Sequence, residues 1–183
     1  MCIRDRSLGS LFVEPLWLFY RTDAAERMHN APRLDSLRQL RGWRVNVGSE
    51  GSGVPTLIER LLQANKVEPG SVKLSRLEQT PATVEFLAGR LDALVFASAP
   101  ESLMVQMLLQ TPGVQLLDFA QHEAYARRFP FLTPVTLPRG VVDLAANVPQ
   151  RDVRLVATTT SLLARDGTPV SYTHLTLPTT PYV

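Results

Sequence analysis

The stretch VNVGSEGSGVPTLIERLL, Val45 to Leu62, carries the residues best suited to chemistry. A β-type run enters Gly48-Ser49-Glu50-Gly51-Ser52-Gly53, and a helical pattern starts at once. Three glycines let a backbone come close to a ligand. The first N–H groups of a helix lack internal partners, and the helix dipole adds partial positive charge there. Such a turn can hold an anion, with Ser49 and Ser52 as further donors. The spacing is G-x-x-G-x-G, not the dinucleotide G-x-G-x-x-G. No Lys-Ser/Thr follows, so it is not a P-loop. Glu50 stands where a G-x-S-x-G nucleophile elbow needs its first glycine. Glu50 would also repel a polyphosphate, which leaves a small carboxylate as the expected anion. The competing reading is a tight strand-to-helix turn with a capped helix and no ligand.

Two further stretches are candidates. VFASAPES, Val95 to Ser102, is a second strand-to-helix turn with Ser98 and Ala99 at its mouth. Ligands of open α/β sheets gather at the C-terminal strand ends, so the two turns could converge; alone, this one reads as an ordinary connection. The third holds Glu14, Trp17, Phe19 and Tyr20 in one apolar run. Aromatic walls line many small-molecule pockets, yet such a stripe is more often core. Phe19 is assigned to the core, Tyr20 stays open, and Glu14 is expected as a buried, hydrogen-bonded structural acid rather than a cleft residue. His29 and His122 have no metal-spaced partner and are expected to face solvent. Arg127 and Arg128 close a helical stretch and complement its dipole. No paired carboxylates, nucleophile–base pair or metal cluster emerges, so the pattern favours binding over catalysis, with no metal and no cofactor.

The elements that would position these residues alternate. Ser10–Tyr20 reads as a buried strand, with Pro15 marking an edge or bend. Arg21–Arg33 is polar and reads as a crossing loop, Leu34–Leu40 as a short helix, and Gly42–Gly48 as a strand. Val54, Leu57, Ile58, Leu61 and Leu62 fall on one face of a helix over Val54–Asn65, with Pro55 in its first turn. VKLSRL is a strand. TPATVEFLAG is a helix with Thr80 as cap, Pro81 at its first position and Gly89 as stop. LDALVFAS is a strand, APESLMVQMLLQ a helix with Pro100 in its first turn, and GVQLLDF a strand. DFAQHEAYARR is a helix capped by Asp118 with Gln121 and ended by Pro130. Beyond Pro130 the prolines suggest linker and edge strand, then VRLVATTTSLLAR a last strand. Strand–helix alternation predicts an α/β layer with a mostly parallel sheet.

Composition narrows the class. Of 183 residues 45% are hydrophobic, enough for a packed core, and Cys2 is the single cysteine. There are 19 basic and 17 acidic residues, so nothing points to nucleic acid. No apolar run approaches the roughly 18 residues of a membrane span.

The ends raise a separate expectation. MCIRD back-translates as ATG TGT ATA AGA GAC, whose reverse complement, GTC TCT TAT ACA CAT, encodes Val-Ser-Tyr-Thr-His. That is Val170 to His174. The shared word resembles the transposase mosaic end of sequencing libraries, as expected of a metagenomic read. Met1–Arg6 and Val170–Val183 are therefore expected to be adapter translation and are set aside from fold reasoning.

EPLWLFYR, LRQLRGWRVNVGSEGSGVPTLIERLLQAN, EFLAGRLDALVFASAPE and VQLLDFAQHEAYARRFPFLTPVTLPRGVVDL together resemble the TAXI family of TRAP-transporter solute-binding proteins, over nearly all of Ser10–Arg165. Members of that family usually carry Thr where this chain has Val54. The resemblance implies the type II periplasmic binding protein fold, two α/β lobes closing on a ligand. It assigns 7–33 to the end of lobe one and a hinge crossing, 34–130 to lobe two, and 131–169 to the return crossing and part of lobe one. It implies that Ser49, Gly51, Ser52, Gly53 and Val54 hold a carboxylate, with Ala99 from the second turn and Tyr20 or Glu14 from the hinge side. It further implies no enzymatic step, membrane permease subunits as partners, a periplasmic or extracytoplasmic location with a missing signal peptide, and a possible membrane anchor. The alternatives are a sensory ligand-binding domain of the same fold, and an α/β enzyme using Ser52 or Glu50, which would need a base beside Ser52.

Overall fold

Strand β1 (Asp5–Arg21) is the element around which the sheet is arranged. The computed structural model describes residues 5–68 and 70–165, with side chains over 12–68 and 70–160. The adapter expectation therefore lies outside the described residues, except that Asp5 and Arg6 begin β1. Leu16, Trp17, Leu18, Phe19 and Tyr20 are all buried, so the strand is covered on both faces. It is followed by α1 (Thr22–His29), a 3-10 turn (Leu37–Leu40), β2 (Arg44–Asn46), α2 (Gly53–Ala64), β3 (Lys73–Ser75), α3 (Gln79–Leu87), β4 (Ala93–Ala97), α4 (Leu103–Gln110), β5 (Val114–Leu116), α5 (His122–Arg128), β6 (Leu132–Leu137) and β7 (Val153–Arg165).

The sheet order is β3-β2-β4-β1-β7-β6, with β5 also pairing β1. The sheet is mixed rather than mostly parallel. β2 pairs β3 and β4 in parallel, whereas β1 runs antiparallel to β4 and β5, and β6 antiparallel to β7. The alternating strand–helix order describes the β2-to-β5 segment well. It does not reveal that β1 enters the same sheet in the opposite direction.

Pro15 is not an edge marker. It lies where β1 begins to pair with β4, and its carbonyl, which a proline retains, accepts from the Ser98 N–H at 3.4 Å. β3 and β6 end the strand order, as expected for the proline-rich β6 segment, and β5 branches off it beside β1.

The chain divides into two compact units, Met1–Phe12 with Thr159–Val183, and Val13–Thr158. In the first, the described residues are strand segments of β1 and β7. The second holds the helices and the core. There α2 buries Pro55, Leu57, Ile58, Leu61 and Leu62, the face its apolar spacing defines. Each large aliphatic side chain so buried contributes about 1.5–3 kcal/mol.

Several local expectations are corrected. Arg21–Arg33 contains α1, a full helix whose buried residues are only Ala24 and Ala25. α3 starts at Gln79 with Glu78 at the cap position, so Thr80 lies inside the helix and Pro81 one position beyond it. Gly89, at φ +78°, ends the helix as expected. Pro100 sits in the turn before α4, which starts only at Leu103. Asp118 does not cap α5. Its carboxylate accepts from the Arg154 backbone N–H at 2.8 Å and from that residue's guanidinium. His29 is half-buried rather than solvent-facing: its ring stacks on Trp43 at 6.0 Å, and Nε2 lies 2.7 Å from the Gln39 carbonyl. His122 opens α5 and is also half-buried.

Candidate functional site

Parallel pairing of β2 with β4 sends both strands toward one edge of the sheet. The glycine loop leaves β2 there, and the Ser98–Ala99 turn leaves β4 beside it. β1 runs the other way, so Leu16 pairs with Ala97 and Glu14 stands just outside that pairing at the same edge, half-buried rather than the buried acid expected. The residues brought to this edge are thus Ser49, Gly51, Ser52, Gly53, Val54, Ala99 and Glu14. Tyr20 is not among them. It pairs with Ala93 at the far end of β4, four strand positions or about 13 Å from the edge. It is 1% exposed, its hydroxyl accepts from the Leu34 N–H at 3.2 Å, and its ring meets Trp43 edge-on.

The loop itself is held by its backbone. Gly48 and Gly51 have φ of +86° and +87°, a region that suits glycine. The Ser52 N–H donates to the Ser49 carbonyl at 3.3 Å, and the Ser52 hydroxyl donates to the same oxygen at 2.9 Å. Ser52 is therefore at the cap position of α2 without capping it: no side chain accepts from the first amides of the helix there. Gly51, Ser52 and Gly53 are exposed. Pro55 has no N–H to offer and the Thr56 N–H, four residues past the cap position, belongs to the helix's own ladder, so the amides open at this end are those of Gly53 and Val54. Val54 supplies its backbone N–H but no hydroxyl.

The acidic residue of the loop is drawn aside. Arg76, just past β3, bridges Glu50 and Glu59 at 3.1 Å each. The 75–77 segment is tied to β2 by buried Asn46, whose Oδ1 accepts from the Leu77 N–H at 2.8 Å and the Ser75 hydroxyl at 3.1 Å. On the other side, Trp17 is fully buried and its Nε1–H donates to the Ser98 carbonyl at 2.9 Å, fixing the second turn to β1. Sequence reasoning passed over Arg76, Asn46 and this use of Trp17. The signal in each case was a polar group at or just past the end of a strand, or in a core stripe, whose partner is distant in sequence.

A carboxylate or similar anion could accept from the open α2 amides, while the parallel β4 turn supplies an adjoining wall. Among the described residues no group of three or more His, Cys, Asp or Glu is arranged to hold a metal. No helix among them is long and apolar enough to cross a membrane.

This arrangement, a mixed sheet with strand-to-helix turns gathered at one edge, is the fold of the periplasmic binding proteins. A periplasmic binding protein of an ABC transporter from Brucella ovis, with glutathione bound, superposes with a TM-score of 0.51 at 16% identity, covering 89% of this chain and 37% of that one. The alkanesulfonate-binding protein SsuA from Xanthomonas axonopodis pv. citri, bound to MOPS, gives 0.46 at 20% identity over 62% of this chain and 35% of that one. An ancestral arginine-binding protein bound to arginine gives 0.44 at 19% identity over 62% and 44%. The chain spans less than half the length of each. The chain belongs to the NMT1-like family, whose pattern matches residues 13–176 and so ends inside the Val170–Val183 stretch.

Proposed function

We propose that the chain is part of an extracytoplasmic solute-binding protein that captures a small carboxylate, such as an organic acid or amino acid, between two lobes. The observation that carries this is the pair of open amides of Gly53 and Val54 on the sheet edge shared with Ala99 and Glu14. On this reading Ser49, Gly51, Ser52, Gly53 and Val54 form the anion cradle, Ala99 the adjoining wall, and Glu14 a contact from the hinge strand. Tyr20 acts at a distance, by fixing the chain at Leu34.

The lobe divisions given by the TAXI resemblance, the TRAP-type permease partner and a periplasmic location with or without a membrane anchor belong to the same proposal. The family membership and the fold support it. Closure over the ligand would be the signal that the membrane subunits read, with no chemical step. Placement of the Ser52 hydroxyl on a carbonyl rather than on a base favours binding over catalysis. The role of a sensory domain rests on the same cradle and differs only in what adjoins it.

The test is calorimetric titration of the protein expressed from the intact reading frame with acetate, succinate and L-glutamate. At least one is expected to bind, and Gly53→Asp, which places a carboxylate at the amides, to weaken it tenfold or more. Binding unchanged in Gly53→Asp would overturn the reading.

A further inference from the structure

We infer that the cavity beside the start of β5 is a second ligand site, for a small organic anion with a short apolar body. Its volume is about 670 Å³, within the several hundred cubic ångströms usual for small-molecule sites. It lies entirely within Val13–Thr158 and is not the glycine-loop site. The Thr22 N–H donates to the Gly113 carbonyl at 2.9 Å, placing the cavity at the Arg21 end of β1. The glycine loop is at the opposite, Leu16 end.

One wall is the turn from α4 into β5, residues 108–116, and the other is the loop ahead of β7, residues 143–151. Leu109, Pro112, Val114, Val148 and Pro149 supply apolar surface. Arg33 and Arg151 supply positive charge from two separate loops.

Ion pairs among the described residues engage Arg21, Arg27, Arg44, Arg76, Arg90 and Arg154; Arg33 and Arg151 are in none of them. The one carboxylate in the lining, that of Asp143, accepts from the Ala146 N–H at 2.8 Å and is turned to its own loop. Two cations and one engaged anion around an apolar floor select a negative headgroup on a hydrocarbon body. A neutral or cationic molecule of the same body gains nothing from the arginines.

The test uses the 183-residue chain and three probes: octanoate, octanol and octyltrimethylammonium. Calorimetry is expected to show octanoate binding that is about tenfold weaker in the Arg33→Gln/Arg151→Gln double variant, with octanol and the ammonium probe no tighter than octanoate is to that variant. Both arginines are exposed, so the fold should survive, and an unchanged far-UV spectrum checks it. Gly53→Asp is expected to leave octanoate binding intact, which separates this site from the carboxylate cradle. Octanoate affinity equal in wild type and double variant, octanol bound as well as octanoate by wild type, or loss of octanoate binding in Gly53→Asp would each overturn the inference.

Discussion

Gly53 has no conformational reason to be glycine. Its backbone is outside the left-handed region that Gly48 and Gly51 occupy, and a Cβ placed on it would meet nothing within 4 Å. Glycine at a helix position costs about 0.5–1 kcal/mol relative to alanine. A residue that weakens the helix and relieves no clash is explained by what must approach it from outside. Gly53→Ala is therefore expected to raise stability by about 0.5 kcal/mol while lowering carboxylate affinity, read together by urea unfolding and calorimetry. A gain in stability with unchanged affinity would remove the functional account of this glycine. Gly51 behaves oppositely: at φ +87° any other residue is strained, so its role is to shape the loop.

Among the elements, α2 was legible because four large apolar residues repeat at helical spacing and the core lies on one side of them. α1 was not, because its buried face is two alanines and its stability comes from charges placed by the tertiary fold. Arg27 on α1 and Arg44 on β2 both bind Asp92, which is 5% exposed, at 2.9 and 2.7 Å. Nothing local joins residues 27, 44 and 92. The misplaced caps have a similar cause: Asp118 has the spacing of a capping box, but a distant arginine offers it three hydrogen bonds. Burial pushes Asp92 up, and the Arg44 hydrogen bonds with the charges of Arg44 and Arg27 more than offset this, so it sits below the usual carboxylate range. Asp118 follows the same logic, with burial outweighed by its hydrogen bonds from Arg154. A depressed folded pKa gives stability that is present above the unfolded value, about 3.9, and lost as pH falls through the folded one. Stability should thus decline below about pH 4. Asp92→Asn is expected to cost about 1–3 kcal/mol at pH 6, the half-exposed arginines keeping it below the cost of a fully buried pair. The gap to wild type should narrow by pH 3, measured by urea unfolding at the two values. A constant gap would mean that Asp92 holds no charge-dependent stability.

At the scale of the molecule, the sheet edge was partly legible. Two glycine- or serine-bearing turns after apolar strands mark the candidate edge, and their adjacency follows once β2 and β4 are neighbours. The direction of β1 was not legible, and that direction sorts the hinge-side candidates: it brings Glu14 to the edge and carries Tyr20 away. The central claim is that the start of α2 is an open amide cradle for a small anion. Its most direct test is a proton–nitrogen NMR titration of this chain with sodium acetate. The account predicts that, among the described residues, the largest shifts fall on the amides of Gly53 and Val54, with weak, millimolar-range saturation. Shifts absent from those two amides while others move, or no shifts at all up to saturating acetate, would contradict it.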